Sequence, residues 1–227
     1  MQKTVLVFAL AAIACGNSTP PPKAPEPEPE PTQRPVKSQM QTSSELGTID
    51  PKKIKAAFVG LESKFLACQK QRLGEIEVIA GNVKFFVRIS ADGATKWVYL
   101  LESEIGDRET EKCLIDVVKA ASWPKPDGGD VEVQYGFELP QQSTRDATPW
   151  SVDKIAHMIG PVEKCKGGSN ATYTVTAYVA EGGKVIGVGV AAPEKDADDK
   201  IDCVVKAVKK LKPPSPGSWP AKVSFKI

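Results

Sequence analysis

The chain has one histidine in 227 residues, no Cys-x-x-Cys pair and no cysteine clustered with that histidine. The common zinc ligand sets and the common redox dithiol are therefore missing. It has no excess of one charge: 30 basic and 28 acidic side chains leave a net +2. Nothing here provides the clustered basic face that nucleic acid needs. Its N-terminal apolar run, Val5 to Ile13, is too short to remain in a bilayer as a spanning helix. Catalytic patterns are equally scarce. His157 sits beside Met158 in a segment of helical spacing and reads as a surface side chain. Gly187 and Gly189 form a lone G-x-G inside a strand pattern, with no helix start behind them, so they make no phosphate loop. The acidic run Glu194–Asp199 suits a helix entry and lacks the spacing of a calcium loop. The expectation is a non-enzymatic protein with no catalytic residue, no metal site and no cofactor.

What is present begins at the N-terminus. Lys3, the apolar run, then Ala12-Ile13-Ala14 before Cys15 resemble the lipobox of bacterial lipoproteins. The resemblance implies a signal peptide over 1–14, removal before Cys15, and acylation of that cysteine. Two or more acyl chains hold a protein durably, at ~0.8 kcal/mol per buried methylene. Gly16 rather than aspartate follows, which by enteric sorting rules implies the outer membrane. Residues 15–49 form a tether. Residues 18–35 hold eight prolines in eighteen positions and no large apolar side chain. Such a segment cannot bury a core and is expected to be disordered and extended, largely polyproline II. At ~3.1 Å per residue it reaches on the order of 100 Å. It is either a spacer of required length or a passive linker.

Folded sequence begins near Thr48. Asp50 is placed to cap a helix opened by Pro51, and Ile54, Phe58, Leu61, Phe65 and Cys68 make one helical stripe. Val83, Phe85, Val87 and Ile89 alternate along a strand, 91–93 is a hairpin turn, and 95–102 is the second strand. A second helix, capped by Asp107, buries Cys113, Leu114, Val117, Val118 and Ala121, and Trp123-Pro124 stop it. A third strand turns Val131, Val133, Tyr135, Phe137 and Leu139 inward. The same order then returns. Ser151 caps a helix carrying Ile155, Met158 or Ile159, Val162 and Cys165. Strands alternate through Tyr173–Val179 and 184–190 around a turn at 181–183. A helix over 196–211 ends at Pro213-Pro214, and the last strand holds Val223 and Phe225.

The spacings argue for duplication. Gly93 to Cys113 and Gly183 to Cys203 are both 20 residues, and Phe137 matches Phe225 at 88. Cys68 to Gly93 takes 25 residues against 18 from Cys165 to Gly183, so the second copy has a shorter loop before its first strand. The expected fold class is α+β: two tandem α-β-β-α-β domains, 50–140 and 151–227, joined by a linker at 141–150. Each is a three-stranded antiparallel sheet with two helices on one face. Four cysteines besides Cys15 allow three pairings. The oxidising compartment implied by a signal peptide favours closure. The repeat makes Cys68–Cys113 and Cys165–Cys203 the equivalent choice within each copy, at roughly 4 kcal/mol apiece from loop-closure entropy.

A helix ending in Cys68, a hairpin turning at Asp92-Gly93, a helix with Cys113, an aromatic–proline stop at Trp123-Pro124 and a strand ending near Phe137 resemble the TonB C-terminal domain superfamily, in its myxobacterial gliding-motility branch. The match covers 52–139, and a degenerate form covers 151–227 through Cys165, Gly183, Cys203 and Phe225, with the tryptophan–proline displaced to Trp219-Pro220. TonB itself keeps a transmembrane helix that couples to an inner-membrane motor. This chain has a lipobox instead and lacks the tyrosine–proline element of TonB's first helix, so energy transduction is not expected. The resemblance implies a periplasmic adaptor that binds an extended peptide by adding it to a sheet edge. The implied edge strands run through Val131, Val133, Tyr135 and Phe137 in the first copy and Val223 and Phe225 in the second. The alternative is edges covered by the sister copy. The expected partners are a periplasmic or outer-membrane protein and, through acylated Cys15, the lipid bilayer, with no nucleic acid. The competing reading is a passive envelope spacer.

Overall fold

The computed structural model describes residues 40–43, by backbone alone, and residues 47–227. The expected signal peptide, Cys15 and most of the tether lie outside the described residues.

The elements in chain order are β1 (Met40–Ser43), α1 (Pro51–Val59), α2 (Glu62–Lys70), β2 (Gly81–Ile89), β3 (Thr95–Ser103), α3 (Arg108–Lys119) and β4 (Val131–Leu139). There follow β5 (Thr148–Trp150), three 3-10 turns around α4 (Gly160–Glu163), β6 (Thr174–Ala180), β7 (Lys184–Ala191), α5 (Asp198–Lys209) and β8 (Ala221–Lys226). The fold is α+β, built on two sheets of order β1-β4-β2-β3 and β5-β8-β6-β7. The three strands expected in each copy pair antiparallel.

Local chemistry explains most of these boundaries. The Asp50 carboxylate accepts from Lys52 N at 2.8 Å and Pro51 opens α1, because proline lacks only an N–H the first turn does not use. The Asp107 carboxylate caps α3 through Thr110 N at 3.0 Å. Alternation in β2 buries Val83, Phe85, Val87 and Ile89 against the helices.

Two helix expectations need correction. The stripe from Ile54 to Cys68 is broken at Gly60–Leu61 into α1 and α2, where glycine weakens the helix interior. The helix expected after Ser151 is a chain of single turns. Pro161 supplies no N–H and Gly160 adds backbone freedom, so no continuous i→i−4 ladder forms. Its apolar side survives: Ile155, Ile159 and Val162 are buried and Met158 is only half-buried.

The two sheets correspond in their pairing register. Phe85 faces Tyr135 and Leu100 across its two neighbours, and Val175 faces Phe225 and Val190. All three partners are offset by 90 residues. Even the bulge after Arg88 recurs after Tyr178. A Cβ on Gly93 (φ +88°) would lie 2.5 Å from the Trp123 carbonyl, and one on Gly183 (φ +74°) would strike the carbonyl of Pro213, again 90 residues on. Phe225 is thus the counterpart of Tyr135. The expected match to Phe137 was wrong by one β period, because both residues are aromatic and face the same way.

Each sheet also gains a short fourth strand from sequence expected to be linker. β1 pairs antiparallel with β4, Met40 opposite Tyr135 and Ser43 opposite Glu132. β5, inside the expected 141–150 linker, pairs parallel with β8 from Ala221 to Val223. Residues 47–227 fall within one compact unit. Tyr178 and Ala191 from the second half sit in the hydrophobic cluster of the first. Among the described residues no helix is long and apolar enough to cross a membrane.

Candidate functional site

The expected edge strands are β4 and β8. Val131, Val133, Tyr135, Phe137, Val223 and Phe225 all point into the cores and are at most 6% exposed. Alternation puts them there, so what these strands can offer a partner is backbone, not these side chains. On its inner side β4 is paired with β2 along its whole length, Val131 to Leu139. On its outer side β1 covers Glu132 to Tyr135. From Gly136 to Leu139 no strand lies on that side among the described residues. There an apolar recess of about 160 Å³ opens between α2 and β4, walled by Leu66, Phe137, Leu139 and Pro140, with Glu62 and Glu138 at its rim. In the second half β5 takes the equivalent edge over Ala221–Val223. The strand that covers each edge therefore comes from linker sequence, not from the sister copy.

The two halves meet elsewhere. The outer face of the β6–β7 sheet lies against the loop 71–80 and the start of α3. At Gly187 an added Cβ would come within 2.7 Å of the Gly106 carbonyl and of Ile76 Cδ1, and at Gly189 it would strike Glu111 Oε1. These are the glycines of the lone G-x-G. A glycine inside a strand marks close approach of other backbone, and that signal was available in the sequence. Glu111 spans the joint. Its Oε2 accepts from Val190 N at 2.8 Å and its Oε1 from Ser103 Oγ at 2.6 Å. Full burial pushes this carboxyl up to about 7 against those two hydrogen bonds. Beside it Arg108 donates to Asp202 at 3.0 Å and Asp198 at 2.5 Å, and this pairing holds the Asp198 carboxyl below its usual range. Lys222 Nζ donates to the Ala80 carbonyl at 3.0 Å, and burial lowers that ammonium's pKa.

The disulfides join Cys68 to Cys113 and Cys165 to Cys203, with Cα atoms 5.7 and 5.5 Å apart. Each ties the element before the sheet to the helix after the hairpin. Cys68 is buried, whereas Cys203 is exposed. His157 is exposed on a 3-10 turn. The acidic run contributes one network that sequence reasoning missed. Glu194 accepts from Lys200 Nζ at 2.8 Å, from Ser169 Oγ at 2.5 Å and from the Tyr173 hydroxyl. These donors, Lys200 first, pull its carboxyl down to about 2. Burial, reinforced by Glu194, pushes Tyr173 up to about 12. Among the described residues no group of three or more histidine, cysteine or acidic side chains is placed to hold a metal. No known protein family, curated protein or solved structure matches this chain.

Proposed function

We propose that this protein is a non-enzymatic, lipid-anchored adaptor of the bacterial periplasm, with two tandem TonB-like modules that bind a partner protein by strand addition at a sheet edge. One observation carries the reading. The same edge of each sheet, β4 in the first half and β8 in the second, accepts a strand from outside the α-β-β-α-β unit, antiparallel in one case and parallel in the other. Strand addition needs little beyond an accessible ladder of N–H and C=O groups, and these edges take strands in both senses. Two disulfides fit an oxidising compartment. The lipobox-like Ala12–Cys15 supports an acyl anchor at the outer membrane, and the proline-rich tether supports reach from it. A periplasmic or outer-membrane protein is the expected partner.

The test is site-specific photo-crosslinking in intact cells, with the photoreactive side chain placed at the exposed Glu138 of β4 or at Glu181 on the far turn. A discrete protein adduct from position 138, at the β4 side of the first sheet, and none from 181 is the expected result. If neither position yields an adduct, the spacer reading replaces the adaptor.

A further inference from the structure

The outer face of the first sheet gathers aromatic and basic side chains. Pairing sets Phe86 beside Tyr99 and Arg88 beside Trp97, and alternation turns all four away from the buried face of β2. Among the described residues five aromatic side chains stay half-exposed: Phe86, Trp97 and Tyr99 on this face, with Trp150 and Trp219 elsewhere. Three cations surround the Trp97 ring. Lys195 lies 4.3 Å from its centroid, Arg88 5.6 Å and Lys96 5.9 Å. Two carboxylates answer Arg88 and Lys96, Glu132 and Asp130, each at 2.8 Å. Lys195 is exposed, and among the described residues no carboxylate pairs with it. The rings therefore sit beside one positive charge in excess.

One segment of the chain has the complementary chemistry. Residues 24–31, outside the described residues, read Ala-Pro-Glu-Pro-Glu-Pro-Glu-Pro, and Glu26, Glu28 and Glu30 are their only charges. Proline-rich segments dock on aromatic-lined grooves because their extended form is preset and little entropy is lost. We propose that residues 24–31 lie on this face, with prolines against Phe86, Trp97 and Tyr99 and glutamates toward Lys195, Lys96 and Arg88. The chain can reach. β1 begins at Met40, nine residues after Pro31, and the sheet order β1-β4-β2-β3 puts three strand spacings between β1 and β3. Those spacings amount to about 14 Å, whereas nine extended residues span about 28 Å. So short a linker gives an effective concentration on the order of millimolar, and weak contacts are then enough. A second copy fits worse, because a two-fold contact sets the same cations against one another. Docking takes residues 24–31 out of the tether, which then has a short state and a long one. None of this depends on strand addition.

A photoreactive side chain in place of Tyr99, in the full chain in intact cells, identifies the occupant by peptide mapping. The expected product is an intrachain link to the peptide that holds residues 24–31. Lys195→Glu, at an exposed position, should lower its yield about twofold or more, because a paired surface charge becomes a repelling one. Any other product overturns the proposal: an adduct of twice the chain's mass assigns the face to a second copy, a link to another protein assigns it to a partner, and no adduct leaves it bare. A second measurement keeps Tyr99 in place. Acrylamide quenching of Trp97, taken as the difference between the full chain and Trp97→Phe, reads how well that ring is shielded. Exchanging residues 24–31 for a glycine–serine run of equal length should raise this quenching about twofold, and high salt should act in the same direction. Unchanged quenching refutes the docking. Failure here leaves the strand-addition reading standing, since that reading is tested at position 138.

Discussion

From Phe85 and Val175 onward the two halves share a pairing register, bulge included, yet their outer sheet faces have opposite fates. At the positions where the second half has Thr176, Tyr178, Gly187 and Gly189, the first has Phe86, Arg88, Trp97 and Tyr99, each 90 residues earlier. The second set is buried at the joint between halves, and the first is half-exposed. Phe86 and Tyr99 stack with ring centroids 4.8 Å apart, and Arg88 and Lys195 lie over Trp97 at 5.6 and 4.3 Å. Small residues on the closing face let backbone and Glu111 approach. The partner surface has its own origin. Cys68 to Gly93 is seven residues longer than Cys165 to Gly183, 25 against 18. The loop 71–80 within that longer segment supplies Ile76 and the Ala80 carbonyl to the joint.

Several measurements would break or sharpen this contrast. Replacing Cys68 and Cys113 together with alanine should cost roughly 4 kcal/mol in urea unfolding, and the Cys165 and Cys203 pair nearly as much, since their separations are 45 and 38 residues. A much smaller loss in the second half would mean that the joint, not the disulfide, holds its single-turn segment. Gly189→Val should cost about 3 kcal/mol, by overpacking against Glu111 and breaking its bond to Val190. Tyr99→Ala, at the matching position, should cost about 1 kcal/mol or less. Equal losses would refute the assignment of open and closed faces.

The joint should also sense pH. The folded Glu111 carboxyl is raised to about 7 from an ordinary 4.5, so the folded state holds its proton more tightly than the unfolded chain. That contribution is fully present below pH 4.5 and is lost as pH rises through about 7. Stability should fall by roughly 3 kcal/mol across that window from this group, and Glu111→Gln should flatten the slope. An unchanged slope would remove Glu111 from the account. The smallest effect is kinetic. Under limiting reductant Cys165–Cys203 should open before Cys68–Cys113, because Cys203 is exposed and Cys68 is buried. Peptide mapping of partially reduced protein reads the order directly.

The sequence was most informative where structure depends on near neighbours. Asp50 and Asp107 announce helix starts through their own side chains, and the strands announce themselves by alternation. The cysteine spacing, repeated with the unit, led to the disulfides that form. The second half's first helix was over-read because its apolar side persists even though Gly160-Pro161 break the ladder. The edge was misread: β4 and β8 were expected at an edge, but each is the second strand of its sheet behind β1 or β5, their named side chains face the cores, and nothing in the linker sequence announced that Met40–Ser43 and Thr148–Trp150 would pair with them.

By itself, then, the sequence determined the strands, the turns and caps and the cross-links, because each rests on periodicity, on spacing or on a residue's own conformational limits. Only the tertiary structure decided which outer face closes, which strands cover β4 and β8 and why Gly187 and Gly189 have no side chain. Those outcomes depend on atoms as far apart in the chain as Glu111 and Val190, 79 residues, or Ala80 and Lys222, 142 residues, meeting with compatible shapes. Shape complementarity between distant segments leaves no period in the sequence from which it could be read.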